Sequence, residues 1–115
     1  MSGLEKLISE FRAEADIDFL DLPFVAESVR MRLDLHGQDE IRHHTLESVR
    51  RLMELNVYPG DYTLEDLMSG RGFQFRCGSA EELMSWIESE WTEMGHTPTQ
   101  EHPICWFALK GSKTT

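Results

Sequence analysis

Three times the chain sets a hydroxyl residue three positions before an acid: Ser2…Glu5, Thr63…Asp66 and Ser79…Glu82. At this spacing the hydroxyl accepts the third backbone N–H of a helix and the acid reaches back to the cap's own N–H, so each pair marks a helix start. After Ser2, the residues Leu4, Leu7, Ile8, Phe11 and Ala15 recur at helical spacing as one apolar stripe. A second helix is expected from Asp21, with Pro23 in its first turn, to about Leu35 before Gly37. The third, about Asp39 to Leu55, is the most regular. It sets Ile41, Thr45, Val49, Leu52 and Asn56 on one side and the pairs His43–Glu47, Glu47–Arg51 and Arg50–Glu54 on the other.

Beyond a Pro59-Gly60 turn the pattern gives a short helix, Thr63–Ser69, closed by Gly70. Residues 72–77 alternate with period two and read as a strand. Ser79–Met94 is a long helix stopped by Gly95, and Ile104–Leu109 is an apolar run between Pro103 and Gly111 that reads as a buried strand. A short third strand is expected near Val57-Tyr58, and residues 96–103 form a loop. The sum is an α+β fold: one helix-rich domain over residues 1–115 with a small C-terminal antiparallel sheet. Helices followed by a hairpin also outline a winged helix, which brings nucleic-acid binding into consideration.

Charge separates the function classes. Eleven basic residues face 21 acidic ones, a net charge of −10. Residues 1–27 carry seven acids against two bases and residues 60–101 nine against two, while residues 28–59 carry five of each. Two acidic stretches thus flank a neutral middle, a distribution that favours association with basic partners and opposes nucleic acid. The third helix carries Arg42, His43, Arg50 and Arg51, but Glu40, Glu47 and Glu54 interrupt them, unlike the continuous positive surface of a DNA-reading helix. No run of apolar residues is long enough to cross a membrane, and the N-terminus lacks a signal-peptide pattern, so a cytoplasmic protein is expected. Cys77 and Cys105 lie in apolar stretches and are expected to be buried thiols, with a disulfide between neighbouring strands as the alternative.

Motifs for catalysis and metal binding are missing. There is no G-x-S-x-G and no Gly-rich phosphate loop in a strand-to-helix context. His43 and His44 are adjacent and point about 100° apart on a helix, so they do not form an i,i+4 metal pair. No catalytic residue, metal or cofactor is assigned. One acid stands apart. On a helical wheel of Ser79–Met94, Leu83, Ile87, Trp91 and Met94 form the apolar arc and Glu90 falls within it, between Leu83 and Trp86, where a carboxylate requires a partner. A structural Glu90–Arg42 ion pair is expected, with Arg76 as substitute partner.

The second half follows a pattern: Leu46-Glu-x-Val49-Arg50-x-Leu52-Met53-x-Leu55, Pro59-Gly60-Asp61, Gly72-Phe73 and Gly78-Ser79-x-Glu81-Glu82. It continues Ile87-Glu88-x-Glu90-Trp91-x-x-Met94-Gly95-x-x-Pro98 and ends Ile104-x-Trp106-Phe107-Ala108-Leu109. Over about residues 39–111 this resembles small bacterial proteins encoded beside contact-dependent growth inhibition and other polymorphic toxins, where they serve as immunity proteins. The resemblance implies an inhibitor of a cognate toxin domain, commonly a nuclease with a basic cleft, with no catalysis of its own. An acidic protein can occupy such a cleft by offering carboxylates in place of phosphates. The candidate partner-binding acids are Asp16, Asp18, Asp21, Asp61, Glu65, Asp66, Glu81, Glu82, Glu88 and Glu93. The alternative is a winged-helix-like nucleic-acid-binding regulator, and a third is an enzyme built around Glu90.

Overall fold

A computed structural model describes residues 3–70 and 72–110. Ser2, half of the first expected capping box, lies outside the described residues. The chain runs α1 (Gly3–Ala15), β1 (Leu20–Asp21), α2 (Leu22–Arg32), α3 (Gln38–Glu54), β2 (Val57–Asp61), α4 (Leu64–Ser69), β3 (Gln74–Phe75), α5 (Ala80–Met94) and β4 (Trp106–Leu109). The strands form one antiparallel sheet in the order β1-β4-β2-β3. The α+β class is therefore the observed one: a helix-rich chain with a small antiparallel sheet.

Local chemistry sets the helix bounds. Asp21 accepts the N–H of Phe24 at 2.8 Å and Pro23 occupies the first turn, which starts α2. The helix ends at Arg32, short of the expected Leu35, because Asp34 turns the chain with φ +54°. After α3, Asn56 adopts φ +68°, a left-handed position that asparagine tolerates, and the chain enters β2. The Ser79–Glu82 capping box is closed in both directions, and Gly95 ends α5 at φ +80°.

Two strand expectations change. Pro59-Gly60 is not a turn but the middle of β2. Residue 59 tolerates proline because its carbonyl, which accepts the N–H of Arg76 at 3.1 Å, faces the β3 side, and the nitrogen of the same residue faces the same way. The missing N–H therefore falls where β3 has already ended. The alternating run 72–77 is ladder-paired only at Gln74 and Phe75. β1, which has no signature in the sequence, is recruited by β4 through Leu20↔Phe107 and Asp21↔Trp106.

Register divides the sheet into two faces. Leu20, Val57 and Phe107 point inward and are buried in one cluster with Leu7, Phe11, Val25, Val49, Leu52 and Ile87. Alternation sends Asp21, Trp106, Ala108, Tyr58, Gly60 and Phe75 to the outer face. α5 is held on α3 by Leu83, Ile87 and Trp91, all buried. Across the α1–α2 contact Arg32 grips Glu10 at 2.7 Å, which lowers the Glu10 carboxyl below its usual range and raises Arg32.

Candidate protein-interaction surfaces

Ten acids are candidates for partner contact, and among the described residues Asp18, Asp21, Asp66 and Glu82 accept internal hydrogen bonds, Asp18 from the N–H of Phe19 at 2.7 Å. Besides capping α2, Asp21 accepts from Gln100 Nε2 at 3.1 Å. Asp66 is buried, and its Oδ2 accepts the backbone N–H of Thr63 at 3.0 Å and the hydroxyl at 2.9 Å. Glu82 accepts the N–H of Ser79 at 2.8 Å. The Thr63…Asp66 and Ser79…Glu82 spacings already mark the latter two as caps, and that role withdraws their carboxylates from a partner. Asp16, Asp18, Asp61, Glu65, Glu81, Glu88 and Glu93 are exposed. Among the described residues, Asp18, Glu81, Glu88 and Glu93 form no ion pair.

The expected Glu90–Arg42 pair is absent. Glu90 is exposed, whereas Arg42 donates to Thr92 Oγ1 at 3.4 Å and lies 3.5 Å from Asp39. Arg76, the substitute partner, lies over the Trp86 ring, 3.7 Å from its centroid. The wheel misleads because Trp86 is only half-buried. The buried arc is centred on fully buried Ile87, about 60° from Glu90, so the carboxylate sits on the solvated flank.

α3 and α5 form the walls of an open groove of about 830 Å³. Leu46, Met53 and Met84 line it with Tyr58, and Glu81 and Glu88 stand on the α5 wall. On the α3 wall the cations are engaged by α3's own acids: Arg50 and Arg51 share Glu47 at 2.9 and 3.1 Å, and Arg42 faces Asp39. The expected i,i+4 pair Glu47–Arg51 forms, whereas Arg50 takes Glu47 one turn back, at i,i+3, in place of the expected Glu54. The outcome is a helix surface with its positive charge locally neutralised.

A second surface lies on the outer face of the sheet. Phe19 meets Tyr62 and Phe73 with ring centroids 4.7 and 4.9 Å apart, and Phe73 meets Phe75 at 4.8 Å. These distances are those of favourable edge and tilted aromatic pairs. Gly60 makes room for them. A Cβ there would strike the Gln74 carbonyl and come within 2.7 Å of the Phe73 ring. Beside the rings, Ile17 is 82% exposed between Asp16 and Asp18, and Asp61 immediately precedes Tyr62. Sequence reasoning took Phe73 and Phe75 only as strand residues and passed over Phe19 and Tyr62. The available signal was the pair of acid–aromatic steps, Asp18-Phe19 and Asp61-Tyr62.

The cysteines differ from one another. Cys105 is buried, and burial raises its thiol pKa far above the usual range. Cys77 is exposed, contrary to the expected buried thiol, and both are free, so no disulfide joins them. Among the described residues no three His, Cys, Asp or Glu side chains converge as metal ligands, and no helix is long and apolar enough to cross a membrane. Comparison of the chain with protein-family models, curated proteins and solved structures finds no match.

Proposed function

We propose that this protein is an immunity protein: it binds a basic toxin domain, a nuclease with a cationic cleft, and neutralises it in the cytoplasm of the cell that makes both. The observation that carries this reading is the placement of charge. Asp18, Glu81, Glu88 and Glu93 point outward without an internal ion pair among the described residues, while the arginines of α3 are engaged by α3's own acids. Carboxylates presented this way can meet the Lys and Arg side chains that a nuclease uses for phosphate, and the long-range field speeds the encounter. The likeness of residues 39–111 to immunity proteins points the same way.

Co-expression tests the reading. Cells that carry the toxin domain encoded beside this chain should grow when the chain is present and stop growing when it is removed. Continued toxicity in the presence of soluble chain would contradict it.

A winged-helix-like regulator is the second reading, and one observation favours it. The order α1-β1-α2-α3-β2 with β4 between β1 and β2 supports it, since a winged helix lays its strands in this order; α4, β3 and α5 stand where a simple wing would. Its reading helix would be α3. That helix carries α5 along one side, and Asp39 and Glu47 answer its arginines, which leaves little positive potential for phosphate. Charge favours the first reading.

A further inference from the structure

We infer that the aromatic cluster on the outer sheet face, Phe19, Tyr62, Phe73 and Phe75, with Ile17 at its edge, is the docking surface for a cationic protein segment; this rests on the immunity reading and names the face that reading uses. The rings share one face by register. Phe75 is opposite Gly60 and Asp21 opposite Trp106, and steps of two place Phe73, Tyr62 and Phe19 on the same side, away from the core. Phe19 is 37% exposed and Ile17 is 82% exposed. Aromatic side chains of this kind are the usual anchors of protein interfaces, where truncating a few residues removes most of the binding energy.

Charge identifies the occupant. Asp16 and Asp18 bracket Ile17, so the apolar centre has an acidic rim on the Ile17 side, while Asp61, paired with Gln74, faces the other side of the sheet. Lys110 is the described cation at the cluster, and it sits at the far end, 5.6 Å from the Phe75 ring centroid and 5.0 Å from that of Tyr58. A second copy of the chain would bring the same two aspartates against these, on molecules each carrying −10. The fitting partner is a protein loop or helix with one or two apolar side chains among Lys and Arg. The groove between α3 and α5 also presents acids, Glu81 and Glu88, but its apolar lining is Leu46, Met53, Met84 and Tyr58 and not a cluster of aromatic rings.

The experiment is a titration of the whole ¹⁵N-labelled protein with a synthetic amphipathic peptide of leucines and lysines, repeated with Ile17→Asp and, as a control at an exposed acid outside the candidate contacts, Glu90→Gln. Ile17 is exposed enough for its variant to keep the native spectrum elsewhere. Amide shifts should concentrate at Ile17, Phe19, Tyr62, Phe73 and Phe75. Ile17→Asp should weaken binding about tenfold, the loss typical of a truncated anchor, and Glu90→Gln should leave it within about twofold. Shifts confined to α5 and the groove, with Ile17→Asp inert, would overturn this face while leaving a basic partner in place. Failure of the peptide to bind anywhere at low salt would overturn both the face and the reading beneath it. Concentration-dependent shifts of the same residues without peptide would assign the face to self-association instead.

Discussion

Thr45 sits on the buried side of α3 with its hydroxyl fully enclosed and, among the described residues, without a hydrogen-bond partner. An enclosed polar group lacking a partner is destabilising, so Thr45→Val, which replaces the hydroxyl by a methyl of similar size, should stabilise the fold by about 1 kcal/mol. Thermal unfolding checks this, with a rise of a few degrees expected. Gly60 makes the opposite demand. With the Gln74 carbonyl, the Phe73 ring and Phe75 Cα crowding the position, Gly60→Ala should cost about 1–3 kcal/mol and should disturb the aromatic cluster as well as the fold. The two thiols give a third expectation. A thiol reagent should label Cys77 rapidly in the native protein and Cys105 only after unfolding, because one is exposed and the other is buried with its thiolate disfavoured.

At the scale of elements, the α1–α2 contact carries a pH dependence of known sign. The Glu10 carboxyl is lowered below its ordinary value of 4.5, chiefly by its hydrogen bond to Arg32. Its contribution is therefore complete above that value and is lost as pH falls through the lowered folded pKa. Glu10→Gln should unfold at a slightly lower temperature than the parent at pH 7, and the gap should close in acid. The pair is solvent-exposed, so the gap is small. The same scale shows what the sequence made legible. α4 and α5 were readable from Thr63…Asp66 and Ser79…Glu82, since capping is a local interaction with fixed spacing. β1 was not, because two residues hold no period and Leu20 pairs only with distant Phe107. Pro59-Gly60 looked like a turn because turn chemistry and an edge-facing proline share the same two residues. Glu90 was misplaced because a wheel shows angles but not how far Trp86 stays out of the core. The aromatic cluster needed the register, which joins rings from segments more than 40 residues apart.

For the whole molecule, the net charge of −10 matters through its arrangement. The arginines of α3 are matched by acids of the same helix, while Asp18, Glu81, Glu88 and Glu93 remain directed to solvent, and Asp18 immediately precedes Phe19 of the aromatic cluster. Such a molecule should meet a basic protein quickly and release it slowly. The measurement that tests this most directly is the association rate with the purified toxin domain encoded beside the chain, taken as a function of ionic strength. A steep fall in association rate with added salt, with dissociation little changed, is the predicted result. An association rate indifferent to salt, or salt-sensitive binding to duplex DNA in place of the protein, would contradict the account.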